Sequence, residues 1–222
     1  MSRFFGVIGI IGALLLLLLP YQLPQKSRLE VGTAEAESQI SGFSFPETSA
    51  DGQTFRWSEA EGKLLFSDLA NRPLRVRMRF HALRPSTPPT VTVTLNGHPL
   101  AALTGSGSFA DVEIAANRAQ VGMHGNALLA IETTPFQAPP DPRQLGVALA
   151  WVEVIADQGL AIPSLPAVQQ VLLPLMLAVL ATTFVSWRWK FSQTVRLLAT
   201  LFSVAIGAVL LWQAPTWLKA HG

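Results

Sequence analysis

Arg75, Arg77 and Arg79 occupy every second position of Leu74-Arg-Val-Arg-Met-Arg-Phe80, and in an extended chain that spacing puts three guanidinium groups on one face. Such a row, extended by Arg72 and Arg84, could grip sulfate, phosphate or uronate groups of a polymer, or lipid headgroups. It could equally be a solvated strand face whose arginines pair across a sheet with acids such as Asp111 or Glu113. Trp57, between Arg56 and Ser58, offers an aromatic face that could stack on a sugar ring or fill a core. Trp151 stands in an apolar run and reads as core.

Chemistry beyond binding finds little support. The chain holds no His-Glu-x-x-His, no Gly-x-Ser-x-Gly, no glycine loop leading into Lys-Ser/Thr and no Asp-x-Asp. His81, His98 and His124 are scattered without metal-ligand spacing and read as surface residues. Asp111 and Glu113 share one strand face, and Asp141 and Glu153 flank the last strand. Paired carboxylates can serve acid–base hydrolysis or bind calcium, but solvated faces and turn capping explain these more simply. Gly105-Ser-Gly-Ser108 lies between strands with no helix after it, so it reads as a turn. With no cysteine, thiol chemistry, disulfides and cysteine metal sites are excluded. No Asn-x-Ser/Thr acceptor is present. The expectation is a non-enzymatic chain with no metal and no cofactor.

The elements that would carry these residues are strands. Leu74–Phe80 and Thr90–Leu95 alternate apolar and polar residues, and Asn96-Gly97 after the second is the preferred pair for a two-residue hairpin, with His98–Leu103 returning. Ile40–Phe45, Thr54–Trp57, Lys63–Phe66, Phe109–Ala115, Ala127–Thr133 and Leu145–Ile155 are further strands, separated by segments rich in Pro, Gly and Ser. Eight or nine short strands without a crossover helix predict a mainly β, antiparallel sandwich. Leu145–Ile155 is apolar on both faces until Glu153 and should be central.

Half of the 222 residues are hydrophobic and only 14% are charged, with a mean hydropathy of +0.36. That balance points to membrane segments. Phe4–Leu19 is apolar throughout, behind Arg3, and predicts a signal anchor over residues 1–24; a cleaved signal peptide is the competing reading, with Ala34-Glu-Ala36 as a distant cleavage-like pattern. Two more spans are expected at 164–187 and 197–217. The loop between them, 188–196, carries Arg188, Lys190 and Arg196 and no acid, which places it in the cytoplasm. Residues 25–163 and the tail 218–222 then lie outside. All 14 Asp and Glu and eleven of the 16 Lys and Arg fall within 25–163, leaving that stretch three charges negative and both ends purely basic. The net charge of +2 therefore belongs to the membrane flanks, and nucleic-acid binding is not expected. Gly9 and Ala13, Ala178 and Thr182, and Ala199, Ser203 and Gly207 place small residues four apart in the three spans, where they could pack helices against each other or against a partner.

Three strings carry a resemblance: Asp51-Gly-Gln-Thr-Phe-Arg-Trp57, Thr92-Val-Thr-Leu-Asn-Gly-His-Pro-Leu100, and Asp141-Pro-Arg-Gln-Leu-Gly-Val-Ala-Leu-Ala-Trp-Val-Glu-Val154. Over roughly residues 40 to 156 the chain resembles extracytoplasmic galactose-binding-like, jelly-roll modules of bacterial membrane proteins, some fused to many-helix glycosyltransferases. The resemblance implies a jelly-roll-like sandwich at the cell membrane that binds a cell-envelope glycan. None of the strings is catalytic, and the chain has only two helices after the module, so transferase activity does not carry over. Two other readings stand beside it: an accessory subunit of a larger membrane complex, and a shortened glycosyltransferase relative without its catalytic part. The expected partners are the lipid bilayer and a glycan or membrane protein.

Overall fold

Alternation makes these strands, because successive side chains of an extended chain point to opposite faces. In the segment Leu74–His81, Leu74, Val76, Met78 and Phe80 are buried while the arginines face out. The computed structural model describes residues 25–162 except 68, 70, 83, 85, 86, 124 and 158, together with Gln22, Leu180 and Phe184. Among the described residues no helix is long and apolar enough to cross a membrane. The expected spans at 1–24, 164–187 and 197–217, the loop 188–196 and the tail 218–222 lie outside the described residues, apart from Gln22, Leu180 and Phe184. So do Gly9, Ala13, Ala178, Thr182, Ala199, Ser203 and Gly207. Leu180 and Phe184 are helical and exposed.

Contacts divide the chain into a unit of Pro24–Gly122 with Asn126–Leu160, and a second unit of Met1–Leu23, Met123–Gly125 and Ala161–Gly222. In the second, the Gln22 side chain donates to the Ala161 carbonyl and accepts from its N–H, both at 3.0 Å.

The first unit holds the strands β1 (Lys26–Glu30), β2 (Ile40–Phe43), β3 (Glu47–Thr48), β4 (Thr54–Phe66), β5 (Leu74–His81), β6 (Thr90–Leu95), β7 (His98–Thr104), β8 (Ala110–Ala116), β9 (Ala127–Glu132) and β10 (Ala148–Ala156), with a 3-10 turn at Ala34–Ala36 and a short α-helix α1 (Arg118–Val121). Every pairing is antiparallel. One layer reads β1–β10–β5–β8 and the other β4–β9–β6–β7, with β2 and β3 on β4. Setting the short β2 and β3 aside, that is the strand order of a jelly roll, so the expected antiparallel sandwich is the observed one. β4 belongs to both layers. Its Arg56 and Trp57 pair with Leu149 and Ala148 of β10, and its Glu61–Phe66 pair with β9. The core lies between the layers, where Val76, Met78, Phe80, Leu149, Val152 and Val154 meet Leu64, Phe66, Val91, Val93, Leu95, Leu129 and Ile131. Each such side chain contributes roughly 1.5–3 kcal/mol by leaving water.

Local chemistry fixes the connections. Asn96 and Gly97 have φ of 51° and 79°, the positive values that a two-residue hairpin of this twist requires. Four residues cannot hold a helix by themselves, and three asparagines hold α1. Asn117 caps its start in a reciprocal pair with Gln120, while Asn71 donates to the carbonyls of Arg118 and Gly122 and Asn96 to those of Gln120 and Val121.

The structure differs from the sequence reading in four places. Thr54–Trp57 and Lys63–Phe66 are one strand. Ser58-Glu-Ala-Glu-Gly62 lacks alternation, but its backbone is bonded from both sides, by Val147, Gly146 and Thr133. β1 was not expected, since Leu29 is its one apolar inward residue, followed by Val31 just beyond its end. The last strand begins at Ala148, because Leu145 bridges to Phe136 and Gly146 and Val147 bind Ser58. Trp151 is buried, but on the outer face of its layer, in a smaller cluster with Phe55, Ala148 and Ala150 and beneath Arg28 at 4.3 Å.

Candidate ligand-binding cleft

The outward arginine row faces acids. Register places Arg28, Glu153, Arg77 and Glu113 side by side across β1, β10, β5 and β8, and Glu30, Trp151, Arg79 and Asp111 in the next row. Arg75 lies 3.6 Å from Glu113 and 3.7 Å from Asp157, Arg77 lies 3.3 Å from Glu113 and 3.7 Å from Glu153, and Arg79 lies 3.7 Å from Asp111. Glu153, only 2% exposed, also meets Lys26 at 2.9 Å. Lys26, Arg28, Arg75, Arg77 and Arg79 thus stand against Glu30, Asp111, Glu113, Glu153 and Asp157, and the face is charge-balanced. Arg72 is buried and Arg84 turns to Thr133 and the ring of Phe136, so neither extends the row. The carboxylates weighed for acid–base work or calcium are each held by a basic side chain. Among the described residues no three metal-ligating side chains converge.

Beside this lattice the same face becomes aromatic. Trp57 on β4 and His81 on β5 are both in register with Ala148 of the intervening β10, and that small side chain lets the two rings meet at 5.6 Å. Phe55 contacts Trp57 edge-on at 6.1 Å, and Phe109 closes the ring of four at 5.4 Å from Phe55 and 5.5 Å from His81. Burial pulls the His81 pKa below its usual value, with a hydrogen bond at the Gly107 backbone opposing the shift. His81, expected on the surface, is half-buried instead; His98 is exposed at the start of β7, and His124 lies outside the described residues.

Trp57 is half-buried because it also borders a cleft of about 450 Å³. Trp57, Ser58, Glu59 and Ala60 form one wall; Ser44, Pro135 and the segment Arg143–Leu145 form the rest. The Asp141-x-Arg-x-Leu-Gly146 string builds that second wall. Asp141 accepts from the Arg143 backbone N–H at 2.9 Å, from Nε at 3.0 Å and from Nη2 at 2.6 Å. Arg143 Nη1 donates to Glu47 at 2.7 Å and to Ser44 at 3.4 Å, and the guanidinium lies 4.4 Å over the ring of Phe45. These partners hold the Asp141 carboxyl below the usual range, through the Arg143 side chain first, and push the Arg143 pKa upward, through Asp141 and then Glu47. Gly146 lets the string close on β4: a Cβ there would lie 2.0 Å from the Glu59 carbonyl oxygen. Buried Ser58 fastens the join, receiving the Val147 N–H on its hydroxyl at 2.9 Å.

Of the residues singled out in the sequence, only Trp57 borders the cleft; Arg75, Arg77 and Arg79 belong to the charge lattice. Arg143 and Gln144 stood in the Asp141 string that carries the resemblance but were given no binding role, and Glu59 and Ser44 were not singled out. The i, i+2 spacing of Asp141 and Arg143, which lets the arginine fold back onto the carboxylate, was the available signal.

No family model and no curated protein matches the sequence. Solved structures show likeness to the C-terminal CBM6 of a marine laminarinase from Zobellia galactanivorans, at 10% identity and TM-score 0.38, covering 59% of this chain and 98% of that one. A family 35 carbohydrate binding module from Clostridium thermocellum gives 14% identity and TM-score 0.40, covering 60% and 99%. The ANXUR2 extracellular domain from Arabidopsis thaliana gives 13% and 0.44, covering 64% and 51%. With every one of these TM-scores below 0.5, the fold rests on the strand pairings described above.

Proposed function

We propose that this chain is a non-catalytic, membrane-anchored binding module whose sandwich stands outside the cytoplasm and holds a cell-envelope glycan in the cleft beside Trp57. The cleft carries the reading. Its volume of about 450 Å³ falls in the range of roughly 300–1,000 Å³ typical of small-molecule sites. It combines a half-buried indole with Ser44, Glu59, Gln144 and Arg143. A sugar ring presents apolar C–H faces and a rim of hydroxyls, and an aromatic wall with a few polar neighbours suits both. Trp57 is also held from behind by Phe55 and His81, so little side-chain freedom is lost when a ligand stacks on it. The anchoring rests on the apolar runs at both ends and the basic loop 188–196.

The binding test is retention of the full chain, in mild detergent, on a panel of immobilised polysaccharides. Retention of the wild type on at least one glycan, lost in Trp57→Ala, is expected; passage through every column would sink the reading, and a co-purifying membrane protein would then favour an accessory subunit. For topology, a reporter active only outside the cytoplasm should work after Gly222 and fail at Ser192.

A further inference from the structure

We infer that the cleft selects uncharged sugars and rejects uronate, sulfate and phosphate groups, although an arginine stands in its wall. This rests on the glycan-cleft reading above and names the class of sugar. Arginine recognises an acidic group by offering a fork of two parallel N–H donors. Arg143 has no such fork to offer. A guanidinium carries five N–H donors. Here Nε and one hydrogen of Nη2 are taken by Asp141, and the two hydrogens of Nη1 by Glu47 and Ser44. One Nη2 hydrogen remains, and Phe45 covers a face of the group. A single directed donor fits a hydroxyl or ring oxygen.

Charge points the same way. Asp141 and Glu47 together outweigh Arg143, and Glu59 adds a further carboxylate to the wall. With Arg56 at the Ser44 carbonyl, its partner Glu37, and Arg84 over Phe136 included, the surroundings of the cleft carry four negative charges against three positive. An acidic sugar entering it would lose water and meet repulsion, while a neutral one could donate hydroxyls to Glu59 and Gln144. The arginine-rich face does not compensate, because its five cations are matched by five acids.

The experiment uses probe pairs of matched linkage and anomer that differ only at C6: β-1,4-mannose and β-1,4-mannuronate oligomers, α-1,4-galactose and α-1,4-galacturonate oligomers, and cello-oligosaccharides and their β-1,4-glucuronate counterparts. Full chain in detergent is titrated with each at low ionic strength, where repulsion is least screened. At least one neutral member should bind ten or more times tighter than its uronate. Glu59→Gln, at an exposed position that should leave folding intact, should narrow that ratio by about threefold through removal of one charge. A uronate binding as tightly as its neutral counterpart would overturn the inference and leave the glycan cleft standing. Absence of binding by all six probes would overturn both.

Discussion

Replacing Arg56 by Met should cost far more stability than removing an exposed charge from the sandwich. Arg56 is 6% exposed and points into the join between the start of β4 and the loop that follows β1. Nε donates to the Val31 carbonyl at 2.9 Å, Nη1 to the Ser44 carbonyl at 3.3 Å, and Nη2 to the Thr33 carbonyl at 3.3 Å and to Glu37 at 3.1 Å. Val31 is fully buried, so its carbonyl would be left without a partner at a cost of about 1–3 kcal/mol. Ser44 and Thr33 are half-buried and can recover water, adding roughly 0.5 kcal/mol each, while Met escapes the desolvation of a guanidinium. The net loss should be about 2–3 kcal/mol, or roughly 8–10 °C in Tm for a domain of this size. Far-UV circular dichroism of the full chain in detergent would follow the β signal. Glu37→Gln should change stability by less than about 0.5 kcal/mol, because that side chain is 66% exposed. An Arg56→Met chain melting within about 2 °C of the wild type would refute the clamp, whose value rests on the buried Val31 carbonyl.

Val93→Asp should unfold the sandwich and Thr92→Asp should not, because Val93 is fully buried and Thr92 faces out; protease resistance of the sandwich would distinguish them. Burial lowers the His81 pKa, so the unfolded chain binds that proton more readily and stability falls as pH drops through the ordinary value of 6.5. The Tm should therefore decline between pH 7 and 5.5, and His81→Phe should flatten that decline. Arg75, Arg77 and Arg79 replaced together by Gln should shift stability by about 1 kcal/mol or less, since the arginines are themselves half exposed and buried Glu153 keeps Lys26 at 2.9 Å, and should leave glycan retention unchanged.

Strands with regular alternation were legible from the sequence, and so was the Asn96-Gly97 hairpin, because both signals are local. β5 and β6 alternate without interruption, and β10 is apolar on both faces, which marked it as central. β1 escaped because its outward residues Lys26, Arg28 and Glu30 are charged and its single inward apolar residue, Leu29, does not make a pattern. β4 was broken in two because what holds Ser58–Gly62 extended is bonding from segments about 75 and 90 residues away in the chain. The cleft was legible only in part for the same reason. Trp57 is conspicuous by type, but Arg143 becomes a wall residue through Glu47 and Ser44, nearly a hundred residues earlier. The arginine row was the strongest charge pattern in the sequence, yet register sets Arg77 and Arg79 against acids and leaves Arg75 within reach of Glu113 and Asp157, which no single strand can reveal.

The direct measurement is calorimetric titration of the tightest oligosaccharide from the panel into the wild-type chain, Trp57→Ala and Arg79→Gln, all in the same detergent. If the indole at the cleft is the binding surface, Trp57→Ala should weaken Kd by about tenfold or more, as loss of an aromatic anchor does. Arg79→Gln, in the lattice with Asp111, should match the wild type. Trp57→Ala binding as tightly as the wild type, with its melting temperature preserved, would contradict a glycan site at the cleft.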